Sequence, residues 1–234
     1  MRTVLIAGVS SGIGRALAEE HIRRGDHVFG VGRHECKSLL SHPHFTFLPL
    51  DLSDADMVRD AMRMHIVGRT FDRAILSAAV YPEMRNLIDT TLEEMRRTMD
   101  INVWAHKHLI DALLAHTQTE HIVAFSASPA RFNRKGLAAY AISKATLNTL
   151  IELYAKEFPF VHFSALAPEL IQTPTLNAFL RADNSKRYSA TQEIRDSLML
   201  PLAQAIPRLM DAIEKTKRIK SGSFVEMKKL HGDP

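Results

Sequence analysis

Tyr140 and Lys144 are the residues of this sequence best suited to move a proton. They stand four positions apart in LAAYAISKATLNTL, a stretch with helical spacing. At that spacing the two side chains leave one face of a helix as neighbours. An ammonium beside a phenol favours the phenolate, so we expect Lys144 to lower the pKa of Tyr140 from about 10 towards neutral pH. The pair therefore predicts a proton donor and acceptor, although Tyr-x-x-x-Lys alone is a weak motif.

A glycine-rich turn near the N-terminus strengthens this interpretation. The apolar run TVLIA (3–7) is followed by GVSSGIG (8–14) and then by a helical pattern. Such a strand, turn and helix brings backbone N–H groups and a helix N-terminus up to a pair of phosphates. Gly8 lets the chain leave the strand, Gly12 allows close approach of the backbone, and Gly14 lets the helix pack on the sheet. An ordinary turn is the alternative, but the flanking elements are those that the motif requires.

With GVSSGIG and YAISK together, the sequence resembles the short-chain dehydrogenase/reductase family over nearly its whole length. The resemblance implies a Rossmann-like fold and hydride transfer between NAD(H) or NADP(H) and a small-molecule alcohol or carbonyl. It also implies three catalytic roles. Tyr140 exchanges a proton with the substrate oxygen, and Lys144 lowers the pKa of Tyr140 and binds the nicotinamide ribose. Asn102 loosens its helix and holds a water of the proton relay.

Three positions depart from the family pattern. The family's serine, thirteen residues before the tyrosine, is Ala127 here, with Ser126 and Ser128 on either side. A local shift could bring one of these candidate catalytic serines into place, but strand alternation directs both away from the side of Ala127. Val80 and Glu169 replace glycines of the family. These departures put the fit of the cofactor and the reaction rate in question, and the fold less so.

The end of the second predicted strand favours NADP over NAD. An acidic residue there would bind the free 2′-hydroxyl of NAD, whereas an arginine can pair with the 2′-phosphate of NADP. Gly32 occupies the place of the acid, Arg33 follows it, and Glu35 lies beyond the strand end. A plain surface cation is the alternative for Arg33.

The other cofactor contacts follow from the resemblance. Asp51 and Leu52 match the family's residues beside the adenine. A helix cap is the alternative for Asp51, because Ser53 and Asp54 open the next helix. The predicted cofactor-binding residues are Gly8, Ser10, Ser11, Gly12, Ile13, Gly14, Arg33, Asp51, Leu52, Ser77, Ala78, Tyr140, Lys144, Pro168, Ile171 and Thr173.

Composition indicates one globular domain over residues 1–234. The chain is 46% hydrophobic and carries a net charge of +4, and its basic cluster at 215–220 fits a solvated helix end better than nucleic-acid binding. The single cysteine, Cys36, fits a reducing compartment, so we expect a cytoplasmic protein. No apolar run approaches the roughly 20 residues of a membrane helix. The twelve histidines, including His106 and His108, lack the spacing of a metal site, and surface positions are expected for them.

Strand-like and helical stretches alternate along the chain. This predicts an α/β fold with a doubly wound, Rossmann-like, seven-stranded parallel sheet and helices on both faces. The expected strands are 3–8, 27–32, 45–48, 72–77, 121–126, 160–166 and 223–227, and the expected helices are 13–24, 54–66, 91–116, 137–157 and 201–216. The resemblance implies the strand order 3-2-1-4-5-6-7. It also makes residues 174–198, the longest irregular insertion, the substrate lid at the carboxyl edge of the sheet.

The predicted helices 91–116 and 137–157 carry apolar residues beyond one core-facing stripe. They include Trp104, Leu109, Leu113, Leu147 and Leu150. In the resembled family these helices form an interface across a two-fold axis, so a homodimer or homotetramer is expected. Packing of these residues on the sheet is the alternative.

Two functions of different classes are consistent with the sequence. The favoured one is an NADP-dependent oxidoreductase that transfers hydride between a nicotinamide and a carbonyl or alcohol substrate, with Tyr140 as proton donor or acceptor. The alternative is a nucleotide-binding sensor or partner protein with a degenerate site. The three catalytic residues favour the enzyme, and the three departures from the family pattern favour the sensor.

Overall fold

The computed structural model describes residues 1–182 and 189–232. Within them, seven strands form one sheet, and two short strands pair with each other apart from it. The strands are β1 (Thr3–Ala7), β2 (His27–Gly32), β3 (Phe45–Pro49), β4 (Thr70–Phe71), β5 (Arg73–Leu76), β6 (Gln118–Thr119), β7 (His121–Phe125), β8 (His162–Ala167) and β9 (Phe224–Glu226).

The order of the large sheet is β3-β2-β1-β5-β7-β8-β9, which is the predicted order once the short β4 and β6 are set aside. Its neighbouring strands are all parallel. In β1, Ile6 pairs with Gly30 of β2 on one side and with Ile75 of β5 on the other. The direction of winding reverses between β1 and β5, so a crevice opens at the carboxyl ends of these strands. The predicted doubly wound α/β fold is confirmed.

Helices cover both faces of the sheet. They are α1 (Gly12–Arg23), α2 (Ala55–Ile66), α3 (Leu92–Met99), α4 (Ala105–His116), α5 (Ala138–Glu157), α6 (Pro174–Ala182), α7 (Ser189–Asp196), α8 (Leu202–Thr216) and α9 (Met227–Leu230), with 3-10 turns at Leu87–Asp89 and Ser128–Ala130. The helix expected over 91–116 is divided, because a π-helical stretch, Asp100–Trp104, separates α3 from α4. Asn102 lies in this widened stretch. None of the helices in the described ranges is long and apolar enough to cross a membrane.

Two apolar layers hold the helices on the sheet, because strand side chains alternate between its faces. In β1, Leu5 and Ala7 belong to the layer shared with α2, α4 and α5. Val4 and Ile6 belong to the opposite layer, shared with α1 and α8. Both faces are thus covered by helices, and the ends of the strands are left for ligands.

The segment 174–198 is more regular than predicted. It contains α6 and α7, while residues 183–188 lie outside the described ones. Leu176, Phe179 and Leu180 form one buried stripe of α6, and they pack with Leu137 and Ile194 in a third apolar cluster. The expectation of an irregular insertion was wrong, because the spacing i, i+3, i+4 of this stripe is helical.

Most of the apolar residues expected outside the core-facing stripe are inside the core. Leu109, Leu113 and Leu147 are fully buried, and Leu150 packs against the same layer. Helix α4 contacts α2 as well as the sheet, so it buries a wider arc than one stripe. Of the five residues, Trp104 is the exposed one, at 40%. The prediction that these leucines lie at a subunit interface was therefore wrong.

Several histidines are buried, against the expectation that they lie on the surface. His21, His106 and His121 are fully buried. His21 Nδ1 lies 2.9 Å from Asp26 Oδ2, and His121 Nε2 lies 3.1 Å from Ser164 Oγ. One ring nitrogen of His21 and one of His121 therefore have an internal polar partner. The part of the chain that the structure describes contains no group of three His, Cys, Asp or Glu side chains placed to hold a metal ion.

Candidate active site

A cleft of about 1200 Å³ opens at the carboxyl edge of the sheet, along the crevice between β1 and β5. One part of its wall is formed by the glycine turn and by the residues that follow β2 and β3. The opposite part is formed by the ends of β7 and β8, the start of α5 and the helices α6 and α7. All residues predicted to bind the cofactor line this cleft, as do the two candidate serines and the Tyr-Lys pair. Asn102 stands behind the wall, against Val80.

The glycine turn has the form of a phosphate-binding cradle. Gly8 and Gly12 have φ angles of +90° and +58°, which residues with a side chain rarely adopt. A Cβ at Gly14 would stand 2.4 Å from the carbonyl oxygen of Gly8, so glycine alone fits where α1 leaves the turn. Ser11 precedes α1 without a capping bond from its side chain, so the N-terminus of α1 is uncapped at the cleft. These features fit the diphosphate of a dinucleotide cofactor.

Arg33 and Asp51 stand at the wall of the cleft, at the ends of β2 and β3. Asp51 Oδ1 accepts hydrogen bonds from the Ser53 hydroxyl at 2.7 Å and from the Ser53 N–H at 3.0 Å. These bonds lower the pKa of Asp51, and the charge of Arg33 lowers it further. Asp54 caps α2, because its Oδ1 accepts from the N–H of Met57 at 2.9 Å. The N-cap of α2 is therefore Asp54 and not Asp51, and the carboxylate of Asp51 remains at the wall of the cleft.

The loop after β5 is held from behind. Asn102 Oδ1 accepts from the N–H of Val80 at 2.8 Å, and Asn102 Nδ2 donates to the carbonyl of Val80 at 3.1 Å. The same Nδ2 lies 3.1 Å from Ser143 Oγ. At the start of the loop, Ser77 Oγ donates to the carbonyl of Ala7 at 2.6 Å. The valine that replaces a glycine therefore has both of its backbone groups paired.

Tyr140 and Lys144 lie in the first two turns of α5 and are 5% and 2% exposed. Lys144 Nζ donates to the carbonyl of Phe125 at 2.7 Å and lies 5.9 Å from the centre of the Tyr140 ring. Burial lowers the pKa of Lys144 to about 7. Burial also raises the pKa of Tyr140 well above its usual value, and the phenol of Tyr81 adds to this. The expected lowering of the pKa of Tyr140 was wrong for this structure, because desolvation of the phenolate outweighs the attraction of a partly neutral lysine.

The two serines beside Ala127 have different surroundings. Ser128 Oγ donates to Glu226 Oε1 at 3.0 Å, which engages its hydroxyl at the edge strand β9. Ser126 Oγ is buried and has no hydrogen-bond partner within residues 1–182 and 189–232. Ser126 is therefore the serine of the two whose hydroxyl is left unpaired within the described residues.

The segment after β8 supplies the remaining predicted contacts. Pro168 and Ile171 line the cleft. Thr173 Oγ1 accepts a backbone N–H at 3.1 Å, which begins α6. Glu169, in the place of a glycine, accepts from Arg208 Nη2 at 3.2 Å. Its negative charge therefore faces a cation at the wall of the cleft.

Comparison with known proteins decides the family. Residues 2–184 match the sequence profile of the family described as short chain dehydrogenase. The chain belongs to the short-chain dehydrogenase family. It is consequently an oxidoreductase that acts on CH–OH or C=O groups with a nicotinamide cofactor, NAD(H) or NADP(H).

Related oxidoreductases and reductases match between 76% and 97% of the chain. An uncharacterised oxidoreductase of Schizosaccharomyces pombe is 26% identical, over 97% of this chain and 96% of its own. Benzil reductase ((S)-benzoin forming) of Bacillus cereus is 25% identical, over 92% and 96%. NADPH-dependent pterin aldehyde reductase of Arabidopsis thaliana is 29% identical, over 76% and 78%. The crystal structure of a short-chain dehydrogenase/reductase of Saccharomyces cerevisiae superposes with a TM-score of 0.80 at 19% identity, over 97% and 96%, and shows the same fold.

Two residues of this short-chain dehydrogenase site were missed from the sequence. The ring of Tyr81 stacks on that of Tyr140, with centroids 4.5 Å apart and planes at 23°, and Phe179 of α6 lies 5.2 Å from Tyr81. His106 Nε2 lies 3.0 Å from the carbonyl of Ala78, and burial lowers the pKa of His106 to about 3, so the neutral ring holds the loop. The aromatic residue directly after SAAV could have signalled Tyr81, whereas nothing in the sequence marks His106.

Proposed function

We propose that this short-chain dehydrogenase is an NADPH-dependent carbonyl reductase, with Tyr140 as the proton donor in reduction and the acceptor in the reverse direction. The observation that carries the proposal is the position of Tyr140 and Lys144 at the start of α5, on the wall of the same cleft as the glycine turn. A phosphate cradle and a buried proton donor share one cavity, which is the arrangement that hydride transfer to a carbonyl requires.

The residues of the chain position the reactants and move the proton. A bound nicotinamide would supply the hydride at the substrate carbon. Burial keeps Tyr140 protonated at neutral pH, so it can give its proton to the oxygen of the carbonyl as that oxygen gains charge. Lys144, with a pKa of about 7, can carry the positive charge that stabilises the phenolate left behind. Asn102 keeps the loop that carries Val80 in place.

Arg33 supports the preference for NADPH. Its side chain is exposed at the wall of the cleft, directly after Gly32, and Gly32 occupies the position at which an acidic residue would bind the 2′-hydroxyl of NADH. A guanidinium can pair with a 2′-phosphate through two parallel hydrogen bonds. The relative from Arabidopsis thaliana is named as NADPH-dependent, which supports the same preference.

The lining near Tyr140 supports an apolar carbonyl substrate, with the segment 174–198 as its lid. Aromatic and aliphatic side chains line the cleft that holds Tyr140, namely Tyr81, Phe132, Leu137, Leu176 and Phe179, and of these Tyr81 stacks on the Tyr140 ring. Flat apolar walls of this kind favour substrates with an aromatic group next to the carbonyl. The named substrate of the relative from Bacillus cereus, benzil, is an aromatic diketone.

A nucleotide-binding sensor is the second candidate. Ala127 lacks the hydroxyl that the family places there, and the ring of Tyr81 covers that of Tyr140. A fluorescence titration with NADPH followed by a screen of aromatic and aliphatic carbonyl compounds separates the two candidates. We expect NADPH to bind and at least one aromatic carbonyl to be reduced. Tyr140→Phe is the matched control: it should still bind NADPH and lose about 10²–10⁴-fold in turnover. Binding without turnover of any carbonyl would leave the sensor.

A further inference from the structure

The substrate oxygen needs a second hydrogen-bond donor that Ala127 cannot supply. The hydroxyl of Ser128 is engaged by Glu226. The hydroxyl of Ser126 has no partner in the described part of the chain and is one candidate. The other candidate is Tyr81, whose ring stacks on that of Tyr140 in the same cleft.

The geometry around Tyr81 favours it as the donor. Its ring lies within 23° of parallel to that of Tyr140 at a centroid distance of 4.5 Å. Two phenols stacked in this way can present their O–H groups to one small volume of the cleft. An oxygen atom that accepts from Tyr140 is then within reach of Tyr81 as well.

The position of Tyr81 is set by its neighbours in sequence and in space. Val80, directly before it, is held at both backbone groups by Asn102. On its other side the ring contacts Phe179 of α6 at a centroid distance of 5.2 Å. Donors that are held before the reaction need no reorganisation when charge develops, which is the condition for strong electrostatic stabilisation.

We propose that Tyr81 is a further catalytic residue, whose hydroxyl donates a hydrogen bond to the carbonyl oxygen of the substrate in the place of the serine hydroxyl that Ala127 lacks. This inference rests on the carbonyl reduction proposed above. As hydride adds to the carbonyl carbon, the electron pair of the C=O bond moves to oxygen, and oxygen takes the proton of Tyr140. Tyr140 becomes a phenolate beside Lys144, and Tyr81 keeps its own proton throughout. Burial raises the pKa of Tyr81, so its hydroxyl stays a donor at neutral pH.

The test is Tyr81→Phe, which keeps the stacked ring and removes only the hydroxyl. With a carbonyl that the wild type reduces, we expect kcat/KM to fall about 10²-fold, the scale of one lost donor, with the Kd for NADPH unchanged in a fluorescence titration. Adding Ala127→Ser to Tyr81→Phe should recover at least about tenfold, because the serine hydroxyl then serves the same oxygen.

Three results would overturn the inference. Tyr81→Phe could retain kcat/KM within twofold while Ser126→Ala loses it, which would assign the donor to Ser126. Tyr81→Phe could lose activity with no rescue by Ala127→Ser, which would make Tyr81 a packing residue. A wild type that binds NADPH and reduces no carbonyl would defeat the proposed function itself, and this result is seen before any variant is made.

Discussion

Asn102 holds Val80 by both of its backbone polar groups, with an accepted bond of 2.8 Å and a donated bond of 3.1 Å. The asparagine is fully buried and lies in the π-helical stretch between α3 and α4. This contact connects the helix on one face of the sheet to the loop that crosses the carboxyl end of β5. It gives Asn102 a structural task in addition to the proton relay that its family position implies.

Asn102→Ala should therefore weaken the fold as well as the site. It leaves the N–H and the carbonyl of Val80 without their partner, and each unsatisfied backbone group costs about 1–3 kcal/mol. We expect the free energy of unfolding in urea to fall by about 2–4 kcal/mol and NADPH binding to weaken. Asn148→Ala on α5 is the control, because Asn148 Oδ1 has no hydrogen-bond partner in the described structure. Equal losses for both variants would contradict the role given to Asn102.

Arg33→Ala tests the cofactor preference. If the guanidinium pairs with the 2′-phosphate, the variant should lose about 1.5–3 kcal/mol of binding free energy for NADPH and almost none for NADH. Fluorescence titrations with both cofactors measure this difference. Lys37→Ala removes another exposed cation close by and should change neither affinity. Identical losses for NADPH and NADH in Arg33→Ala would exclude the 2′-phosphate contact.

Lys144→Met should stabilise the protein while abolishing turnover. The pKa of Lys144 falls from 10.5 to about 7 on burial, so the unfolded chain binds this proton more tightly than the folded one. This shift reduces the free energy of unfolding by its full amount below pH 7, and the reduction becomes smaller as the pH rises towards 10.5. Substitution by methionine removes this reduction and also removes the hydrogen bond to the carbonyl of Phe125. We therefore expect the free energy of unfolding in urea at pH 7 to rise by about 1–3 kcal/mol. The free energy of unfolding of Lys156→Met, at an exposed position of the same helix, should stay within about 0.5 kcal/mol of wild type. A Lys144→Met variant less stable than wild type would refute the argument.

Mild acid should destabilise the protein through its buried histidines. Burial lowers the pKa of His106 to about 3 and that of His121 to about 2, whereas both titrate near 6.5 when unfolded. The stability that depends on these two neutral histidines is therefore fully present above pH 6.5 and is lost as the pH falls below 6.5. The two together should lower the free energy of unfolding by about 2.4 kcal/mol as the pH falls from 6 to 5. His121→Gln should reduce this slope by about half, and a slope unchanged by that variant would argue against the assignment. His34→Gln at an exposed position serves as the control.

We propose a homodimer or homotetramer that uses the outer face of α5 and the adjoining Trp104. On this face Ile142 is 43% and Leu153 is 49% exposed. Burial of such side chains against a symmetry mate would form an isologous contact. Light scattering at micromolar concentration should give a multiple of the 26.3 kDa chain mass, and Ile142→Asp should reduce it to the monomer. Met64→Asp, at an exposed apolar position on α2, should leave the mass unchanged. A wild type of monomer mass would reject the proposal.

Much of the fold was predictable because its signals are local. Apolar runs between helical patterns indicated the strands, and parallel pairing of the buried strands follows from the helices that connect them. The glycine turn was predictable because positive φ angles and a contact too close for a Cβ restrict Gly8, Gly12 and Gly14 to one residue type. The interface leucines were misjudged because the burial of Leu109 or Leu147 depends on which neighbours α4 and α5 meet, and these neighbours are distant in sequence.

The sequence by itself determined the family and the residues that gather at the cleft, since both depend on residue type and spacing along the chain. The strand order followed from the resemblance to that family and not from the spacing. The tertiary structure alone decided the state of those residues. The pKa of Tyr140 rises because the ring of Tyr81 and the surrounding core remove water from its phenol, and the pKa of Lys144 falls for the same reason. Desolvation depends on everything packed around a group, and here that includes loops and helices many residues away from Tyr140 and Lys144.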